Sequence, residues 1–65
     1  MENSVAERRH DRGWSQQRLA DELGVSRQTV ISIERGRFDP SLPLAFRLAR
    51  AFGCTIEEIF SDEVE

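Results

Sequence analysis

Arg27 and Gln28 stand directly after Ser26, a residue type that caps helix starts, so both side chains fall in the first turn of the helix that follows. An arginine offers a planar fork for the O6/N7 edge of guanine, and a glutamine amide matches the N6/N7 edge of adenine. Ser32 lies one turn beyond Gln28, and Thr29 lies beside it; both suit shorter-range contacts to bases or phosphate. Ile31 flanks the inward Val30 and reads either as an outward contact for a thymine methyl group or as a half-buried helix edge. Taken alone, Arg27 and Gln28 also fit an ordinary solvated helix surface. Bond-making chemistry is poorly supplied. His10 is the only histidine and Cys54 the only cysteine, which excludes an internal disulfide, a multi-cysteine zinc site and a histidine–nucleophile set. With no phosphate-binding glycine loop and no paired carboxylates in an evident cleft, neither an enzyme nor a cofactor is expected.

The element that would carry these residues runs from Gln16 to Arg35 and reads as two short helices joined by a tight turn. Leu19, Leu23, Val25, Val30 and Ile33 supply one inward face on each helix. Gly24 follows the first apolar pattern, where a left-handed residue can end a helix without a Cβ clash. Ala20, four residues before that glycine, permits close approach of the crossing helix. This combination is what a DNA-binding helix-turn-helix requires. Gln16, at the start of the first helix, combines a side-chain amide with free N–H groups and suits a phosphate, as does Ser26. Arg35 and Arg37 bracket Gly36 at the far end and are assigned to phosphate. Glu34 would repel DNA if exposed, so it is expected to turn inward and be paired.

The rest of the chain predicts an all-α domain with helices at about 3–12, 16–23, 27–35, 42–52 and 56–60, and an acidic tail at 61–65. Asn3 and Ser4 compete as the first cap, with Ser4 and Glu7 fitting a capping box. The stem of Arg8 is expected along apolar surface with its guanidinium in water. Trp14, Ser15 and Leu19 fit a hydrophobic staple, and the same arithmetic recurs at Val25, Ser26 and Val30 and at Cys54, Thr55 and Ile59. Cys54 is therefore expected as a small buried staple residue. Helix four should start at Ser41 and present Leu42, Ala45, Leu48, Ala49 and Phe52 to the core, with Leu44 and Phe46 partly off that stripe. Phe46, Ile56, Ile59 and Phe60 are candidates for a homodimer contact, although Ile56 and Ile59 equally suit the monomer core.

The net charge of −3 conceals an asymmetry: five acids from Glu57 onward leave residues 1–56 at +2. All nine basic residues are arginine, a side chain that grips phosphate or guanine with two parallel hydrogen bonds. No stretch is long and apolar enough to span a bilayer and no secretory signal pattern is present, so a cytoplasmic, membrane-free setting is expected.

L-A-D-E-L-G-V-S-R-Q-T-V, then I-E-R-G-R-F-D-P-S-L and A-R-A-F-G, resemble the Cro/repressor-type helix-turn-helix proteins, the XRE family, over nearly the whole chain. The resemblance implies a five-helix, lambda-repressor-like domain that binds double-stranded operator DNA, usually as a homodimer on a palindrome, and regulates transcription in bacteria or phage. It also implies that Gln16 holds phosphate and that Arg9 of helix one pairs with Glu34. Many relatives have an apolar residue in place of Arg8, a polar one in place of Ile31 and lysine in place of Ser32. A competing expectation is an antitoxin or controller subunit whose acidic tail, Asp62 to Glu65, engages a protein partner.

Overall fold

The computed structural model describes residues 1–60. The tail at 61–65, and with it the expected partner contact of Asp62 to Glu65, lies outside the described residues. Five helices follow in order: α1 (Val5–Asp11), α2 (Gln16–Leu23), α3 (Arg27–Glu34), α4 (Leu42–Phe52) and α5 (Ile56–Ile59). Ser15, Ser26, Ser41 and Thr55 each accept an N–H three residues on, from Arg18, Thr29, Leu44 and Glu58. Thr55 and Glu58 form a full capping box. Gly24 takes the left-handed conformation at φ +72°, so a non-glycine residue there would be strained even though its Cβ has room.

The core is assembled from Val5 of α1, Leu19, Ala20 and Leu23 of α2, Val30 and Ile33 of α3, Leu44, Leu48, Ala49 and Phe52 of α4, and Ile59 of α5. Trp14 and Cys54 are half-buried and pack against it. Trp14 stacks obliquely on Phe52 with ring centroids 6.1 Å apart, while the guanidinium groups of Arg12 and Arg18 sit 5.4 and 4.9 Å from its ring centroid.

Three expectations are corrected. Helix one is shorter than 3–12, because residues 3 and 4 are held from elsewhere in the fold. Asn3 pairs with Phe60 in an isolated antiparallel bridge, and its Oδ1 accepts the Val5 N–H at 3.1 Å. Ser4 occupies the cap position without capping, so its box with Glu7 does not form. Arg8 is not simply solvated: its Nε donates to the Ser4 hydroxyl at 3.0 Å and its NH2 group to the Glu58 carbonyl at 3.2 Å. In α4, Leu44 is buried and Leu42 is 63% exposed. Leu44, Leu48 and Phe52 form one i, i+4 row at the centre of the buried stripe, and Leu42 falls off its edge.

Candidate nucleic-acid interface

α3 is fixed from beneath by Val30 and Ile33, both almost fully buried, and from its N-terminus by the Ser26 cap. That leaves Arg27 and Gln28 exposed on the first turn. Thr29 is half-buried, and its hydroxyl lies 3.0 Å from that of Ser26. Ile31 and Ser32 are also half-buried on the same helix. Arg35 caps the C-terminal end and is exposed, as is Arg37 beyond Gly36. Arg27, Arg35 and Arg37 make no ion pair among the described residues. α3 and the turn that follows it therefore expose three arginines, donors suited to phosphate or base edges.

Glu34 points inward. Its Oε2 accepts Arg9 Nε at 2.7 Å and its Oε1 accepts Arg9 NH2 at 3.3 Å, with both side chains less than one-tenth exposed. Arg9 has two further partners: NH1 donates to the Trp14 carbonyl at 2.8 Å and NH2 faces His10 Nε2 at 3.2 Å. The pair thus locks α1 and the α1–α2 loop against α3, and no buried side-chain polar atom among the described residues lacks a partner. It also neutralises the only acidic side chain of α3, which would otherwise weaken the positive field along that helix.

Gln16 is more committed than a simple phosphate clamp. Its Nε2 donates to Glu34 Oε1 at 3.1 Å, and its Oε1 accepts Arg27 NH2 at 3.4 Å. One hydrogen on Nε2 remains for a phosphate, alongside the free N–H groups at the start of α2.

A second, apolar surface is formed by α4, α5 and the loop before α4. Phe46 and Phe38 are about half exposed, and a cleft of about 400 Å³ between the α4 start and α5 is lined by Pro40, Leu42, Ala45, Ile56 and Phe60. Of the four residues expected at a dimer contact, Phe46 is exposed and Ile56 and Phe60 are half-buried. Ile59, at 2% exposure, is consumed by the monomer core and drops out.

Reading the sequence missed two positioning residues. Arg47 NH1 donates to the Leu23 carbonyl at 3.2 Å and so satisfies the end of α2 beside the turn. Asn3 Nδ2 donates to the Ile33 carbonyl at 2.8 Å and supports the C-terminal turn of α3. Neither partner lies near in sequence, so no local spacing signals them.

A helix-turn-helix family model, HTH_3, matches residues 5–59. The chain is 52% identical over 60 residues to an uncharacterized HTH-type transcriptional regulator of Methanocaldococcus jannaschii, covering 92% of this chain and 91% of that one. It is 45% identical over 65 residues to the uncharacterized HTH-type transcriptional regulator YgzD of Bacillus subtilis, covering 100% and 98%. Among solved structures it resembles the restriction-modification controller protein C.AhdI from Aeromonas hydrophila, with a TM-score of 0.78, 36% identity, and coverage of 86% and 85%. The five-helix arrangement is the lambda-repressor-like one, in a family of non-enzymatic DNA-binding proteins. The chain belongs to the XRE-type helix-turn-helix family and is a DNA-binding transcriptional regulator.

Proposed function

We propose that this protein reads a palindromic operator as a homodimer and acts there as a repressor. The observation that carries the reading is the first turn of α3, where Arg27 and Gln28 are exposed on a helix otherwise fixed by buried residues. A rigid helix with an exposed donor fork at its leading end is suited to the major groove. Arg27 takes guanine and Gln28 adenine, while Thr29, Ile31 and Ser32 make shorter contacts further along. Gln16, Ser26, Arg35 and Arg37 hold phosphates on either side. The apolar surface of exposed Leu42 and Phe46 and half-buried Ile56 and Phe60 supports a second copy. Two copies would place their recognition helices about 34 Å apart, one turn of B-DNA. Likeness to a restriction-modification controller protein supports a controller role of the same kind.

Selection from random duplex DNA, followed by the stoichiometry of the complex on the winning sequence, tests this. An enriched palindrome bound by two chains is the expected result. No enrichment by folded protein would turn attention to a protein partner. On the winning site, Arg35→Ala should weaken all sequences alike and lower the salt slope by about one.

A further inference from the structure

We propose that Glu34, at the far end of the recognition helix, is a positioning residue for Arg27, acting through the Gln16 amide. This rests on the reading of Arg27 as a base-contacting residue.

The connection is continuous: Arg9 to Glu34 at 2.7 Å, Glu34 to Gln16 at 3.1 Å, and Gln16 to Arg27 at 3.4 Å. Each link fixes the polarity of the next. Glu34 is an acceptor at both oxygens and Arg9 a donor at every nitrogen, so Gln16 must turn its NH2 group toward Glu34. Its carbonyl oxygen then faces the opposite end of α3, where Arg27 offers a donor. An amide turned the other way would set oxygen against carboxylate and NH2 against guanidinium. Arg27 is thereby held at one nitrogen while its other N–H groups remain open. A long side chain restrained before it meets DNA loses less freedom on binding than a free one. The Gln16 nitrogen keeps a second hydrogen for phosphate, so one amide joins the grip on the strand to the aim of the base reader.

This polarity argument distinguishes Glu34 from a purely structural partner of Arg9. In Glu34→Gln the new carbonyl oxygen keeps the short 2.7 Å bond from Arg9 Nε. The new NH2 group replaces Oε1 and faces Gln16, giving up the longer 3.3 Å bond from Arg9 NH2, which retains His10. Gln16 must then turn its oxygen inward and present NH2 to Arg27, donor against donor. Adding Gln16→Glu supplies an oxygen on each side and restores the acceptor for Arg27.

The experiment measures affinities for the selected operator and its single-base variants. Arg27→Ala first identifies the base pair that Arg27 reads. Glu34→Gln is expected to lower discrimination at that pair by about three- to tenfold while leaving it unchanged elsewhere. The double variant Glu34→Gln/Gln16→Glu should recover that discrimination even as its affinity for every duplex falls. Unchanged discrimination in Glu34→Gln, an equal loss at every position, or no recovery in the double variant overturns the proposal. Should melting curves show Glu34→Gln unfolded, Gln16→Met takes its place: loss at the same base pair supports the proposal and no loss overturns it. If Arg27→Ala removes preference at no base pair, the base-reading assignment fails as well, which separates the two failures.

Discussion

Between α2 and α3 the chain satisfies its free backbone groups mostly with near neighbours; where α1 meets α5 and α3, it uses partners 30 to 55 residues away. At the turn, Ser26 caps Thr29 and Gly24 supplies the left-handed residue, all within six positions. At the seam, Asn3 spans to Ile33, the Ser4 hydroxyl to the Ile59 carbonyl and Arg8 to the Glu58 carbonyl, while Arg9 meets Glu34. Local devices set the shape of the reading element. Distant ones decide whether that element is held against the rest of the domain.

The largest effect should come from the seam. Arg9→Met leaves the Glu34 carboxylate buried without its cation, which typically costs about 3–5 kcal/mol. Denaturant midpoints would measure it, and Arg9→Met/Glu34→Met should recover most of the loss. A cost below about 1 kcal/mol would mean that the carboxylate escapes to water and that α1 is not fixed through it.

Next in size are substitutions that compare the two regions directly. Gly24→Ala should cost about 1–2 kcal/mol, because φ is +72° there while the added Cβ meets nothing closer than Arg47 at 4.0 Å. Asn3→Ala removes the donor to the Ile33 carbonyl and the acceptor for the Val5 N–H, and should cost about 1–3 kcal/mol. Ser26→Ala, the loss of one local cap, should cost about 1 kcal/mol. If Asn3→Ala proves no worse than an ordinary surface change, the seam is decoration and the turn carries the fold by itself.

The same division explains what could be read from the sequence. Ser15, Ser26, Ser41 and Thr55 were legible as caps because each partner lies three residues on, a spacing that the sequence displays. The start of α1 was not, since Asn3 and Ser4 are held by α3 and α5. Leu42 and Leu44 both fit a helical stripe with Ala45, Leu48 and Phe52, and only the packing of neighbouring helices chooses Leu44. The exposed Arg27 and Gln28 follow from cap spacing, whereas the route from Glu34 to Arg27 depends on a tertiary contact between α2 and α3. Periodicity also could not divide α5, which gives Ile59 to the core and leaves Ile56 and Phe60 half-exposed.

The smallest effect sharpens the comparison at the one place where a local device meets the seam. Glu58 closes the capping box by accepting the Thr55 N–H at 2.9 Å, and its own carbonyl receives Arg8. The Thr55 backbone bond, then the Thr55 hydroxyl, and last the Arg8 charge hold its carboxyl below the ordinary 4.5. The unfolded chain therefore takes up this proton first as acid is added. The stabilisation is complete above pH 4.5 and is lost as pH falls through the lower folded value. Other carboxylates titrate in the same window, so the informative quantity is the difference between the unsubstituted protein and Glu58→Gln, which keeps the box without the charge. The advantage of the unsubstituted protein in melting temperature should shrink below pH 4.5 and vanish in stronger acid. Parallel melting curves over that range would show that the α5 cap is neutral to the seam, and that the Arg8 contact works through its hydrogen bond to the Glu58 carbonyl without help from the carboxylate.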